Sequence, residues 1–152
     1  MTINITTASL ISEIKQKSHY DSENFIKEAE ARYKVEAGTE KADEINSCVL
    51  SADSQLRTLV TRYLVTTPVD TISVGITPPV TLTYALGLSE RRDANKCAQL
   101  PQLFRDYLAS AALSKFYATM SVTDLASKWG NQAAALGADI VRILFHKNPP
   151  TL

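Results

Sequence analysis

Histidine, cysteine, methionine and tryptophan are all scarce in this 152-residue sequence, which holds two, two, two and one of them. Cys48 and Cys97 are too few for a disulfide framework and fall in segments of different character. Free, partly buried thiols are the favoured reading, and a disulfide the alternative. His19 and His146 lie far apart in sequence, and neither has a Cys or His at ligand spacing, so no metal site is expected. The five glycines are dispersed, which excludes a glycine-rich phosphate loop, and there is no Gly-x-Ser-x-Gly elbow. No apolar run approaches the ~18 residues of a membrane span. The first residues carry neither a basic n-region nor an apolar h-region, so no membrane partner or secretion is expected.

Net charge is also missing. Sixteen Lys and Arg balance sixteen Asp and Glu, and the mean hydropathy of −0.08 is that of an ordinary folded chain. The balance is uneven along the chain. Residues 1–48 carry six basic against nine acidic residues, and residues 49–152 carry ten against seven. Between Val65 and Leu88 the only charge is Asp70. An acidic end, a basic end and an uncharged middle invite head-to-tail contacts between copies or with neighbours, although three charges of asymmetry also fall within ordinary scatter.

What is present is helical periodicity. Thr7 is placed to cap a short first helix with Leu10, Ile11 and Ile14 on one face, fading in the polar run Lys15 to His19. A second helix starts at Asp21 or Ser22, carries Phe25, Ile26, Ala29 and Tyr33 as a stripe, and ends near Gly38. From Thr39 the seam Ala42, Ile45, Val49, Ala52, Leu56, Leu59 and Tyr63 predicts a long helix to about Val65. Its two alanines favour an intramolecular core over a coiled coil between chains.

The period then changes to two. Ile72, Val74 and Ile76 alternate with small polar residues, as do Val80, Leu82, Tyr84 and Leu86. The two runs read as a β-hairpin joined through Thr77-Pro78-Pro79. A lone hairpin is marginal in water, so it must lie on helices or on another chain. After the polar stretch Ser89 to Gln99, Pro101 suits the start of a helix whose apolar residues, Phe104 and Tyr107 among them, cover more than one face. Ser121 to Asp124 fits a capping box for the last helix. Its stripe is Val122, Leu125, Trp129, Ala133, Leu136, Ile140 and Ile143, beside a line of small residues at Ala126, Gly130, Ala134 and Ala138. Lys147 suits that helix's end, and Pro149-Pro150 forbids continuation.

The fold expected is mainly α: a bundle of four to five helices with a β-hairpin insertion around residues 71–86. It forms a single domain over 1–152, in which 1–38 is a helix pair, 39–65 the long helix, 66–99 the hairpin and polar loop, and 100–152 the C-terminal helices. No catalytic residue is expected and no cofactor. His19 beside Asp21 and Ser22 is the only cluster with triad-type residues, and adjacency in sequence is not triad geometry. The carboxylates Glu28, Glu30, Glu36, Asp43 and Glu44 read as solvated helix faces. Arg91, Arg92 and Lys96, with Arg105 further on, are the residues suited to phosphate contact, but Glu90, Asp93 and Asp106 dilute them.

Four blocks carry a family resemblance. LRTLVTRYL at Leu56–Leu64, PPVTLTYALGLSERR at Pro78–Arg92, FRDYLASAALSKFYAT at Phe104–Thr119 and LFHKNPP at Leu144–Pro150 resemble segments of the head–tail connector (adaptor) proteins of tailed bacteriophages. The acidic N-terminal helix pair departs from the shortest family members. The resemblance implies a structural virion protein, assembled in the bacterial cytoplasm, that forms a ring of twelve copies between the portal and a tail or stopper protein. DNA passing through that ring would be touched non-specifically. The interface candidates under this reading are Ile72, Val74, Ile76, Val80, Leu82, Tyr84, Arg91, Arg92, Lys96, His146 and Lys147. The hairpin edge would add to a neighbour's sheet, or fold over its own helices. A small helical regulatory or nucleic-acid-binding module is the alternative of a different class.

Overall fold

The computed structural model describes residues 1–25, 41–65 and 77–149. It is mainly α with one small antiparallel sheet, the class expected from the sequence. Strand β1 (Thr2–Thr6) leads directly into α1 (Thr7–Phe25), and α2 spans Ala42–Leu59. A single 3₁₀ turn follows at Thr61–Tyr63, then β2 (Thr81–Ala85), the one-turn α3 (Ala94–Cys97), α4 (Leu100–Thr119) and α5 (Thr123–Phe145).

Helix α4 is the axis of the molecule. Leu100, Phe104, Leu108, Ala109, Ala112, Leu113, Phe116 and Tyr117 are all buried, on more than one face, and α1, α2 and α5 each pack against it. The α2 seam holds as an intramolecular core through Ile45, Val49, Ala52 and Leu56. Its ends do not: Ala42 is exposed, the helix stops at Leu59, and Leu59 is 37% exposed. Trp129 and Phe104 are both buried, at 6% and 0% exposure.

Three local expectations are corrected. The N-terminal region is one helix from Thr7 to Phe25, without a break at Lys15–His19. The buried stripe of Leu10 and Ile14 continues through Ser18, Asp21 and Ser22, so polar residues occupy the inward positions. Thr7 is no side-chain cap: its N–H and hydroxyl donate to the carbonyls of Val80 and Pro79, tying α1 to the chain entering β2. The capping box at Ser121–Asp124 does not form. Ser121 instead takes a left-handed conformation (φ 62°), with its N–H donating to the Ala118 carbonyl and that of Val122 to the Tyr117 carbonyl. This is a Schellman closure of α4 with serine where glycine is usual.

The sheet holds a strand that the sequence reading did not expect. Strand β2 pairs with β1, in the register Ile3↔Tyr84 and Ile5↔Leu82. Ile3, Ile5, Leu82 and Tyr84 bury one face against the helices, while Thr2, Asn4, Thr6, Thr81 and Thr83 face out. The alternation Thr2-Ile3-Asn4-Ile5-Thr6 is a strand pattern, and pairing with 81–85 gives its ladder bonds a partner. The expected first hairpin strand, with Ile72, Val74 and Ile76, lies outside the described residues. So do the stripe positions Ile26, Ala29 and Tyr33, and Gly38 and Thr39.

Candidate functional site: a furrow over the central helix

The charged side chains of the core-facing surfaces are engaged in holding elements together. Asp21 is fully buried. Its Oδ2 accepts from Trp129 Nε1 at 2.7 Å and from the Tyr117 hydroxyl at 3.3 Å, and its Oδ1 from Lys128 Nζ at 3.0 Å. One carboxylate thereby joins α1, α4 and α5. Nearby on α1, Glu13 accepts from Arg105 Nε of α4 at 2.6 Å and pairs with Lys17 at 3.0 Å. Partial burial works to raise the Glu13 pKa, but the bonds from Arg105 and Lys17 outweigh it and hold the carboxyl below its ordinary value.

A similar tie joins the sheet to α2. The Tyr84 hydroxyl donates to Asp53 Oδ1 at 2.5 Å, and Arg57 Nε lies 3.1 Å from both Asp53 oxygens. The Arg57 guanidinium stacks 4.7 Å from the Tyr84 ring and donates to the Thr83 carbonyl. Burial, with Asp53 beside it, pushes the Tyr84 pKa far up, so the phenol stays a donor. Burial likewise pushes the Cys48 thiol up to about 11, which leaves it a poor nucleophile at neutral pH. Among the described residues, no three His, Cys, Asp or Glu side chains gather as metal ligands would, and no helix is long and apolar enough to cross a membrane.

The expected interface residues divide. Leu82 and Tyr84 are 1% and 0% exposed: as inward positions of β2 they belong to this chain's own core, not to an open edge. Val80, at 83%, is exposed beside them. Arg91 is committed to the C-terminal segment, donating from Nε and Nη2 to the Asn148 carbonyl at 3.1 and 2.7 Å while its own carbonyl accepts from Asn148 N–H. Arg92 Nη1 reaches the carbonyls of Ile143 and His146 at the end of α5, and its guanidinium lies 5.2 Å from the Tyr63 ring. Both arginines are therefore fasteners within the fold. Lys96, His146 and Lys147 are exposed.

The open feature lies elsewhere, between α2 and α5. Both helices pack on α4 and scarcely touch each other. This leaves a furrow with α4 as its floor. Ser51, Gln55 and Leu59 of α2 form one wall, and Gly130, Ala134, Gly137, Ala138 and Val141 of α5 the other. Tyr107, Ala111, Ser114 and Ala118 line the floor. Its two stretches enclose about 510 and 540 Å³ and share Tyr107, Ala133 and Ala134. Phe145 ends the furrow and also lines a neighbouring hollow of about 510 Å³ formed with Tyr63, Arg92, His146 and Lys147.

The furrow is narrowly built. A Cβ on Gly137 would lie 3.2 Å from Leu59 Cδ2 and 3.3 Å from Tyr107 Cε2, and one on Gly130 would lie 3.0 Å from Ser114 Oγ. The line of small residues visible in the sequence is thus half packing and half opening: Gly137 lets Leu59 and Tyr107 in, while Ala134 and Ala138 stay exposed. Seven large apolar side chains are exposed among the described residues, and three of them, Leu59, Val141 and Phe145 (75%), meet here. Among the described residues, the charged and ionisable groups that line the furrow and its mouth are Lys115, Arg142, Arg92, His146 and Lys147, apart from the Tyr63 and Tyr107 phenols, and Arg142 is itself paired with Asp139 at 2.6 Å. Composition pointed to the basic half of the chain, but only the packing of α2 and α5 on α4 shows where its apolar surface opens.

No family model, no curated protein and no solved structure matches this chain.

Proposed function

We propose that this chain is a structural virion protein: a head–tail connector subunit that forms a ring beneath the portal and passes the contact on to a tail or stopper protein. The observation that carries the reading is the furrow, where large exposed apolar side chains gather beside the basic side chains of Lys115, Arg92 and Lys147. A surface of that kind suits a subunit that works in contact with others. The placing of that contact in a virion, with portal and tail as partners and twelve copies in the ring, rests on the family resemblance. Leu56–Leu64 lies at α2's end, Phe104–Thr119 on α4, and the described part of the last block, residues 144–149, at the end of α5. They frame the furrow.

The reading assigns no catalysis. Glu13, Asp21 and Asp53 are used as ties between elements. It also assigns only passing, non-specific contact with DNA, since Arg91 and Arg92 are spent on the C-terminal segment. The test is made on particles from a producing culture. Mass spectrometry of purified virions should find the chain, and averaged images should place ring density of its size between portal and tail. Finished particles that lack the chain overturn the proposal. Tight DNA binding that weakens steeply with salt would favour the regulatory or nucleic-acid-binding alternative instead.

A further inference from the structure

We infer that the outer face of α5, where it borders the furrow, pairs antiparallel with the same face of a second copy of this chain. Phe145 of each copy then enters the furrow of the other beside Ala134. The inference goes beyond the virion reading and does not rest on it. It concerns the free chain, and its experiment needs neither portal nor particle.

The face is defined by spacing and exposure. Ala134, Ala138, Val141 and Phe145 are all exposed, and they follow one another at four, three and four residues, which sets them in one line along α5. Val141 is 36% and Phe145 75% exposed, so the line carries large apolar side chains at one end and alanines at the other. No charged residue occurs from Trp129 to Ala138. Beside the alanines lies the furrow. The stretch lined by Leu59, Tyr107, Ala134, Gly137 and Ala138 encloses about 510 Å³. A cavity of about 150 Å³ already takes a benzene ring, so a phenyl group finds room here.

The spacing chooses the partner. Four, three and four reads the same backwards, so an antiparallel copy of the line meets the first in register. Phe145 then lies against Ala134 and Val141 against Ala138, and each pair occurs twice. Every large side chain meets a small one, which suits close packing of two helices. A parallel copy would set Phe145 on Phe145 and leave the alanines facing each other across a gap. Charge favours the same choice. Asp139 and Arg142 flank the line and pair within the chain at 2.6 Å, with both side chains exposed. In the antiparallel register Arg142 of one copy comes within about 3 Å, measured along the axis, of Asp139 of the other. A parallel copy would set Arg142 beside Arg142. A contact made by one face on both copies closes at two and leaves no open end. Head-to-tail contacts in a ring would have to displace the pair from this face.

The test uses the full-length chain. Light scattering at concentrations up to about 1 mM detects even a weak contact. It should show mass rising from 16.7 kDa to twice that value and no further. Phe145→Ala removes both rings from the contact and should weaken pairing at least about tenfold. Register is read with cysteines and mild oxidation, at a concentration where the unmodified chain pairs fully. A chain with Ala134→Cys, mixed with one carrying Phe145→Cys, should cross-link one to one, and this mixed pair keeps one of its two Phe145 contacts. Neither variant should link to itself through the new thiol. Equivalent positions of the two copies lie about 16 Å apart along the pair, beyond the ~7 Å between Cα atoms that a disulfide spans. The unmodified chain, whose Cys48 and Cys97 are buried, is the oxidation control. Melting temperatures check that the variants keep the fold. An unmodified chain that stays monomeric overturns the inference, and the furrow then belongs to another molecule or to this chain's own residues. Mass that climbs past two copies overturns it too, since that marks a head-to-tail contact. So does a pair that Phe145→Ala leaves intact, or one in which the cysteine variants link only to themselves or not at all.

Discussion

Along α4, the flank facing α1 and the sheet is dense with bonded polar groups, whereas the flank between α2 and α5 holds small and apolar side chains and stays open. On the first flank Asp21 and Glu13 each receive donors from more than one element or residue, and Tyr84 makes a separate tie from the sheet to Asp53 of α2. On the second, surface that would stabilise the fold if covered is left in water at Leu59, Val141 and Phe145. A chain that closes one side with bonded ions and leaves apolar side chains uncovered on the other concentrates its polar ties in one place and its open surface in another. Substitutions on the two flanks should differ accordingly.

The largest effect is expected at Asp21. Asp21→Ala leaves Trp129 Nε1, the Tyr117 hydroxyl and Lys128 without their shared acceptor and should cost about 3–5 kcal/mol in denaturant unfolding. Asp21→Asn keeps one acceptor oxygen and should cost clearly less. Equal losses for the two would mean that the carboxylate charge, rather than the count of bonds, holds the three helices together.

Tyr84→Phe comes next. The ring keeps its edge contact with Phe104, at 5.2 Å between centroids, so the substitution isolates the hydroxyl's bond to Asp53. A hydrogen bond to a charged group sets the expected loss at about 1.5–3 kcal/mol. Thermal unfolding of the single variant, and of Tyr84→Phe with Asp53→Asn, separates that bond from the Arg57 pairing.

These two flanks were not equally legible in the sequence. The α2 seam, the α4 helix and the burial of Phe104 and Trp129 follow from apolar periodicity, which the fold obeys. The continuity of α1 does not, because Ser18, Asp21 and Ser22 occupy inward positions where a hydrophobic count registers a break. The β1 strand was not expected, although Thr2–Thr6 alternate, because five residues without a neighbour in sequence give no hint of a partner some eighty positions away. Arg91 and Arg92 looked like free cations for the same reason. Their acceptors are backbone carbonyls of residues 143–148, and carbonyls have no sequence signature. The furrow's small residues were plain, yet whether Gly137 faces a neighbour's backbone or this chain's Leu59 depends on tertiary packing.

A smaller effect should follow pH. The folded state holds Glu13 below its ordinary value, so the unfolded chain takes up the proton more readily. The stabilisation is fully present above the unfolded value near 4.5 and is lost as pH falls through the lower folded value. Solvent reaches this cluster, which limits the contribution to about 0.5–1 kcal/mol. Melting temperatures of the unmodified chain and Glu13→Gln should differ at about pH 6 and draw together as pH falls below about 4.5. A constant gap would mean that Glu13 acts through packing.

The smallest effect is the sharpest contrast with Asp21. Ala134 lies at the centre of the furrow, lining both of its stretches, and is exposed. Ala134→Arg puts a long side chain there without removing any bond or burying an unpaired charge. Its neighbours four residues away along α5 are Gly130 and Ala138, so no like charge meets it on its own helix. Arginine is nearly as good a helix former as alanine. Unfolding of the dilute monomer should therefore shift by no more than about 0.5 kcal/mol, the usual range for a surface site. The Arg stem can also lie along the apolar walls near Tyr107 and offset part of any loss. A cost of several kcal/mol would mean that the furrow is closed by this chain's own residues, and the division between a bonded flank and an open one would fail.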